Sequence, residues 1–451
     1  MHQNHKFDML KLPDNLPKIS RYWLLIGVWS LAIAGLFSLV LVVARTPSLA
    51  SMPLFAQLFH SALVVHVDLS VLLWFLSIAC MFWSVQANKT ACFFPYIEEA
   101  AQICFVLGIL LIAAAPFDQS SAPLMSNYIP VITSPIFFLG LSMVMCGVGL
   151  MIARLFISPT INFSVHSSAI ITLLAIVAFV RSFQIMPPEI NGQQYYELAF
   201  WGGGHILQFT HTQILLICWL LLASSVMPAK AGIQSFFAYD KSIFSIGVIA
   251  AAIGIIPYFL YEITSMEYRE FFTNLMIIGG GIAPLILAPF IAKMIWKQRK
   301  QKSAILSSLF MSLLLFLYGG LLAGMIRGQN VVIPAHYHGS IVGITLAFMG
   351  VAYLLLPRFG YRDVSKWRLA FWQPFVYGGG QLLHISGLAW SGGYGVLRKT
   401  TWNANGTENE VSISVKAALG IMGLGGLLAI IGGFMFVVVI WRSVRQRESI
   451  Q

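Results

Sequence analysis

The sequence contains twelve apolar runs, each long enough to cross a lipid bilayer. A membrane-spanning helix needs about 20 predominantly apolar residues. Because lipid offers the backbone no hydrogen-bond partner, each run is predicted to be α-helical. We therefore predict an all-α, polytopic membrane protein with about twelve transmembrane helices. The runs are residues 22–45, 57–84, 99–117, 131–155, 166–188, 197–226, 242–262, 271–296, 303–326, 332–357, 367–391 and 413–441.

The composition agrees with a chain that lies mostly in lipid. Of its 451 residues 58% are hydrophobic and only 10% charged, whereas a soluble protein carries about 25% charged residues. We predict one membrane domain over residues 22–441, between a polar tail at 1–21 and a second tail at 442–451. The first apolar run is too long for a signal peptide, so no signal peptide is predicted.

The net charge of +11 comes from Lys and Arg that flank the apolar runs, so we predict membrane lipid, not nucleic acid, as the partner of this charge. Most of these residues lie at the two ends of the chain and in the connections after even-numbered runs. Because basic residues accumulate on the cytoplasmic side, both termini are predicted to be cytoplasmic. The expected location is the inner membrane of a bacterium.

Five of the histidines within the apolar runs, on four different predicted helices, share one layer of the membrane. With the orientation above, His66, His205, His336, His338 and His384 all lie toward the outer side of the membrane. His336 and His338 are two residues apart, and each helical residue turns about 100°, so they face two sides of one helix. Neutral imidazoles that share one depth are typical of a set of haem ligands.

Each histidine also has a purely structural interpretation. A single intramembrane histidine more often forms a hydrogen bond with a neighbouring helix. That interpretation is favoured for His60, which is interfacial, for His166, which is near the inner side, and for His211, on another face from His205. The shared depth and the His-x-His spacing favour a functional interpretation for His66, His336 and His338.

The stretch AHYHGSIVGITLAFMGVAYLLLPRFGY resembles the tenth helix of subunit I of the haem–copper oxidase family, and the similarity extends over nearly the whole chain. In that family the first histidine of the H-x-H pair binds a high-spin haem and the second a low-spin haem. The resemblance therefore implies His336 as the proximal ligand of the high-spin haem and His338 as a ligand of the low-spin haem.

Two further stretches resemble helices of the same family. ALVVHVDLSVLLWF is similar to helix two, which implies His66 as the other axial ligand of the low-spin haem. AFWGGGHILQF is similar to helix six, whose W-x-x-G-H motif supplies a ligand of a distal metal. This resemblance implies His205 as a ligand of the distal metal and Trp201 as a residue beside the cofactor.

The stretch LAWSGGYGVLRKT resembles a family loop in which two adjacent basic residues bind the haem propionates. Here these residues are Arg398 and Lys399, which form strong charge-assisted bonds with carboxylates; a solvated loop pair is the alternative. His384 falls in a similar region of the family and is a candidate for contact with a propionate or an ordered water.

The sequence departs from the family at the distal metal. Family oxidases complete the distal copper site with two adjacent histidines on or after helix seven, but this chain has no such pair and reads PYFLYEITSMEYREF. His205 alone is a poor copper site. Because nitric oxide reductases of the family use a glutamate around a distal iron, Tyr261 and Glu262 are candidates to act with His205; a solvated glutamate at a helix end is the alternative.

One carboxylate also lies inside a predicted span. Asp68 follows His66 by two residues. Ionisable residues within a membrane are rare and usually functional. The sequence leaves two interpretations open: Asp68 pairs with a buried cation such as Arg181, or it relays protons.

The resemblance implies a cytochrome c oxidase-like oxidoreductase: a haem-binding component of a respiratory terminal oxidase that passes electrons from a low-spin to a high-spin haem for oxygen reduction. Its expected cofactors are two haems, with a distal copper or non-haem iron left open. Its expected partners are other oxidase subunits and an electron donor, cytochrome c or quinol. Two alternatives stay open: a member without distal copper that serves electron transfer, sensing or assembly, and a nitric oxide reductase-like enzyme.

Overall fold

The computed structural model describes residues 15–45, 53–88, 95–118, 121–227, 240–328, 330–396 and 412–446. Nearly all of them are helical, so the predicted all-α class is confirmed. The helices are α1 (Ser20–Arg45), α2 (Pro53–Val67), α3 (Trp74–Ala87), α4 (Pro95–Ala114), α5 (Pro135–Ile157), α6 (Phe163–Gln184), α7 (Gly192–Val226), α8 (Asp240–Ile253), α9 (Pro257–Leu260), α10 (Met266–Gln298), α11 (Ala304–Ala323), α12 (Val332–Leu355), α13 (Arg368–Gly392) and α14 (Ile413–Arg445).

Among the described residues, eleven helical stretches are long and apolar enough to cross a membrane. The protein is therefore an integral membrane protein. The remaining predicted span corresponds to α13, which has 25 residues and is more polar because it includes Gln373, Gln381 and His384. The first helix begins two residues earlier than the predicted span, and the last continues four residues further, to Arg445.

Two predicted spans are less regular than single α-helices. Between α2 and α3 the helix widens into a π-helical segment, Asp68–Leu73, a feature that is often found at functional sites. The predicted run 242–262 is divided by a turn between α8 and α9, and α9 begins with Pro257. Proline lacks the N–H group that would continue the preceding helix. Helix α9 ends at Leu260, so Tyr261 and Glu262 lie beyond the end of this span.

A two-stranded antiparallel hairpin connects α4 with α5. Strand β1 (Pro123–Leu124) pairs with β2 (Val131–Ile132), with Pro123 opposite Ile132. The hairpin was not predicted, because its strands are only two residues long and the second lies in a predicted span. Its turn carries Asn127 and Tyr128, which contact α7 as described below.

The described residues belong to two compact units. The described residues within Met1–Leu31 and Val67–Phe290 form the first unit, and those within Ala32–His66 and Ile291–Gln451 form the second. His205 belongs to the first unit, whereas His66, His336, His338 and His384 belong to the second.

A buried ion pair holds four helices of the first unit together. Arg154 of α5 lies 2.9 Å from Glu98 of α4, and both side chains are almost fully buried. Glu98 also accepts hydrogen bonds from Trp23 of α1, at 3.1 Å, and from Ser84 of α3. Asn88 donates to Glu98 at 3.1 Å and accepts from Arg154 at 2.7 Å. A buried charge of this kind is tolerated because it is paired and hydrogen-bonded.

We predict that Arg154→Met destabilises the protein by about 3–5 kcal/mol, because Glu98 would stay buried without its counter-charge. Thermal unfolding of the purified protein in detergent measures the loss as a lower Tm. The matched control is Arg299→Met, an exposed residue that stacks on Trp296, which should change stability by only about 0.5 kcal/mol. Equal effects of the two substitutions would contradict the structural role of the pair.

Candidate functional site

His336 of α12 is held by the backbone of a neighbouring helix. Its Nδ1 lies 2.8 Å from the carbonyl oxygen of Gly319 in α11. A carbonyl oxygen only accepts hydrogen bonds, so Nδ1 carries the proton and Nε2 carries the lone pair that a metal requires. The carbonyl can accept this bond in addition to its helical one because it has two lone pairs.

Glycine allows α11 and α12 to approach closely enough for this bond. A Cβ atom at Gly319 would lie 2.4 Å from the backbone nitrogen of Ser340, and one at Gly339 would lie 2.6 Å from Cα of Gly319. Small residues at such crossings are typical of helix pairs in membranes. The adjacent Gly320, by contrast, has no atom within 4 Å of its Cβ position.

The same bond recurs at two other histidines of the second unit. His66 of α2 has Nδ1 at 3.0 Å from the carbonyl oxygen of Ala34 in α1. His384 of α13 has Nδ1 at 2.9 Å from the carbonyl oxygen of Met422 in α14. Three imidazoles on three helices are thus fixed as the same tautomer, each by the backbone of a neighbouring helix.

His338 has different neighbouring residues from His336. The centroid of its ring lies 5.4 Å from that of His384, with the planes at 71°, and 5.2 Å from that of the adjacent Tyr337. His336 contacts α11, whereas His338 lies beside α13. The two imidazoles therefore face different neighbouring helices, as the spacing of the pair predicts.

These histidines fit the requirements of a haem iron. A histidine that binds a metal almost always donates its other ring N–H to a carbonyl, a carboxylate or a water, which fixes the ring and raises the basicity of the ligating nitrogen. His66, His336 and His384 each meet this condition, and all three are only partly buried. The donor set is neutral imidazole, which suits iron.

In the first unit, His205 of α7 has both ring nitrogens in hydrogen bonds. Nδ1 lies 2.7 Å from the carbonyl oxygen of Trp201, one turn earlier in the same helix, and Nε2 lies 2.7 Å from the hydroxyl oxygen of Tyr128. The imidazole is 3% exposed. Its ring centroid lies 4.5 Å from Tyr128, 4.8 Å from Trp201 and 5.3 Å from Phe272, so the surroundings are aromatic.

The direction of the bond between Tyr128 and His205 follows from the chemistry of both groups. The carbonyl of Trp201 requires the proton of His205 on Nδ1, so Nε2 can only accept. Burial of the Tyr128 hydroxyl, together with the nearby Glu197 carboxylate, holds the pKa of Tyr128 well above its usual value. The phenol therefore stays protonated, and its O–H donates a hydrogen bond to Nε2 of His205.

A distal metal does not fit these residues. Across the described ranges, no group of three or more His, Cys, Asp and Glu side chains is placed to hold a metal ion. The nitrogen of His205 that would bind a metal accepts the Tyr128 hydrogen bond instead. Trp201, predicted to lie beside a cofactor, packs against Tyr128 and His205. The guanidinium carbon of Arg269 lies 5.7 Å from the centroid of the Trp201 ring.

The other predicted site residues are dispersed. Tyr261 and Glu262 are exposed, which corresponds to the alternative of a solvated glutamate at a helix end. Asp68 is 1% exposed, and neither carboxylate oxygen has a hydrogen-bond partner among the described residues, so the proposed pairing with Arg181 is wrong. Arg398 and Lys399 lie outside the described residues.

Two histidines that were interpreted as structural have structural contacts. His166 is buried, and its Nδ1 lies 2.8 Å from the carbonyl oxygen of Asn162, the residue that caps the start of α6. His211 is buried with its ring against Phe75, at 4.7 Å between centroids. Tyr128, Asn127 and Glu197 were missed by sequence reasoning, because no motif marks them.

The fold is that of a haem–copper oxidase. A haem–copper terminal oxidase, solved as a dimer by cryo-electron microscopy, matches this chain with a TM-score of 0.71. The match covers 95% of this chain and 84% of the oxidase chain, at 14% sequence identity. At this identity the likeness establishes the fold of an oxidase-like integral membrane protein.

Sequence comparison adds relatives from bacteria. An uncharacterised protein of Rickettsia prowazekii (strain Madrid E) is 34% identical, over 94% of this chain and 96% of that protein. An uncharacterised protein of Aquifex aeolicus (strain VF5) is 28% identical, over 76% of this chain and 85% of that protein. No family model matches the sequence. The chain belongs to the family of the Rickettsia protein.

We predict that Gly319→Ala destabilises the protein by about 1–3 kcal/mol, because the new methyl group would force α11 away from α12. The matched control is Gly320→Ala, which should be neutral or stabilise by about 0.5–1 kcal/mol, as a helical glycine is replaced without a clash. Thermal unfolding in detergent compares the two variants. A Gly319→Ala variant as stable as Gly320→Ala would show that the helices do not depend on this contact.

Proposed function

We propose that this protein is a haem-binding, oxidoreductase-like membrane protein that transfers electrons through histidine-ligated iron in its second unit. The observation that carries the proposal is the repeated bond between an imidazole Nδ1 and a main-chain carbonyl at His66, His336 and His384. This arrangement supports metal ligation because it presents Nε2 as the basic nitrogen.

In this proposal His66 and His338 would together hold the iron of a low-spin haem, and His336 would hold the iron of a second haem. When bound, haem supplies an iron that changes its oxidation state by one electron. The chain itself would supply the imidazoles, and main-chain carbonyls fix the tautomer of two of them, His66 and His336. A site with two histidine ligands suits electron transfer because a substrate cannot bind there.

His384 has a supporting role in the proposal. Its ring lies beside that of His338 and is itself fixed by the carbonyl of Met422. A side chain held in this way would limit the rotation of His338, and its Nε2, which carries the lone pair, would accept a hydrogen bond from an ordered water beside a propionate.

The geometry favours electron transfer over oxygen reduction at a centre of haem and copper. His205 is the histidine that the resemblance assigns to the distal metal, and its Nε2 accepts from Tyr128. Glu262, the candidate ligand in a nitric oxide reductase-like enzyme, is exposed. A terminal oxidase remains the second candidate function, supported by the fold likeness over 95% of the chain.

Partners and location follow from the proposal. A chain that transfers electrons within the membrane requires an electron donor, which we propose is cytochrome c or quinol. We also propose that the chain associates with other oxidase subunits. Its relatives are bacterial, which supports the cytoplasmic membrane of a bacterium as its location.

We predict that His66→Ala abolishes the sharp low-spin absorption bands of the purified protein, because one axial ligand would be lost. A reduced-minus-oxidised spectrum measures this effect. The matched control is His60→Ala, six residues earlier in α2, which should leave the bands unchanged. Bands that persist in His66→Ala would refute the assignment of this ligand.

Metal analysis of the same preparation separates the two candidate functions. Haem iron without stoichiometric copper or non-haem iron, and without oxygen consumption, supports electron transfer. Copper or non-haem iron in equal amount to the protein, together with oxygen consumption, supports the terminal oxidase.

We also predict that replacing both Arg398 and Lys399 with Gln lowers haem retention or shifts its reduction potential, because charge-assisted bonds to propionates would be lost. Haem content per protein and a potentiometric titration test this. The control is the pair Lys297→Gln and Arg299→Gln at the exposed end of α10. Unchanged haem content and potential in the first variant would count against propionate binding by these two residues.

A further inference from the structure

The hairpin between α4 and α5 is attached to α7 at two points. At the first, the backbone N–H of Asn127 donates to Glu197 at 2.9 Å, and the side-chain amide of Asn127 donates to the other oxygen of the same carboxylate. At the second, the Tyr128 hydroxyl donates to Nε2 of His205 at 2.7 Å. The hairpin turn is also held internally by a hydrogen bond from Ser126 to the carbonyl of Ile129.

The residues of α7 that contact the hairpin lie on one face of the helix. Glu197, Trp201 and His205 are spaced by four residues, which places them one above another. The ring of Tyr128 packs against Trp201, with centroids at 5.8 Å, as well as against His205. The hairpin therefore covers about two turns of this face.

Glycine at position 204 makes room for the Tyr128 ring. A Cβ atom at Gly204 would lie 2.4 Å from Cγ and 2.5 Å from Cβ of Tyr128. Any larger residue would displace the tyrosine. One of the three glycines before His205 thus accommodates a side chain of the protein itself.

We propose that Tyr128 is a built-in cap on His205, and that the hairpin closes this face of α7 against a metal ion. His205 then serves as a positioning residue for the hairpin, fixed as a hydrogen-bond acceptor by the carbonyl of Trp201. The proposal depends only on contacts within the first unit, so it is independent of haem binding in the second.

Copper analysis tests the first consequence of the cap. The full-length protein, produced with copper in the medium and purified in detergent, should carry no stoichiometric copper, and its copper content should be unchanged in His205→Gln. Copper in equal amount to the protein that is lost in His205→Gln would overturn the proposal. Haem content, measured in parallel, reports on the proposed function separately.

Hydrogen–deuterium exchange tests the second consequence. In Tyr128→Phe, the amides of residues 121–134 should exchange about tenfold faster than in the wild type, as expected when a buried hydrogen bond is lost. The matched control is Tyr96→Phe, since Tyr96 is 78% exposed and the same hydroxyl is removed without a contact. Equal exchange in wild type and Tyr128→Phe would overturn the role of the cap.

A second pair of variants distinguishes loss of the cap from a general loss of folding. Gly204→Ala should accelerate exchange in residues 121–134 as Tyr128→Phe does, because the methyl group would displace the tyrosine. Gly149→Ala in α5, where no atom lies within 4 Å of the Cβ position, should leave exchange unchanged. Exchange in the hairpin that is the same in Gly204→Ala and Gly149→Ala would contradict the proposed seating of Tyr128.

Discussion

The candidate site depends on one interaction, the hydrogen bond from an imidazole N–H to a main-chain carbonyl. In lipid a helix satisfies its own backbone groups, yet each carbonyl keeps a second lone pair. That lone pair is the one acceptor that every membrane helix offers without a polar side chain. At His66, His336 and His384 a carbonyl of the neighbouring helix accepts this bond, and the bond determines which ring nitrogen carries the lone pair.

At His336 and His384, two of the three histidines, glycine lets the two helix backbones approach closely. Gly319 and Gly339 bring α11 against α12. Gly425 does the same for α14 and α13, since a Cβ atom there would lie 2.3 Å from the backbone nitrogen of His384. Packing in this second unit and the chemistry of its histidines are therefore linked: the contacts that stabilise the helix pairs also orient the imidazoles.

His205 shows how the same interaction can lead to a different outcome. Its Nδ1 is also fixed by a carbonyl, here within its own helix, so Nε2 again carries the lone pair. Tyr128 then supplies a proton donor at that nitrogen. A histidine that the sequence presents as a metal ligand is here an acceptor for a tyrosine of the same chain, and among the described residues no set of further metal-binding side chains surrounds it.

The sequence by itself determined the helical class, the membrane location and the two sides of the His336–His338 pair. These properties follow from composition and from helical periodicity, which are local. It also marked His66 and His384 as candidates for the site, because an imidazole in an apolar run is unusual. Only the tertiary structure decided what each imidazole contacts, because those contacts join residues such as Ala34 and Met422 through backbone atoms that every residue possesses. The Tyr128 cap likewise depends on a hairpin 77 residues from His205 along the chain, and no local pattern encodes such a distant contact.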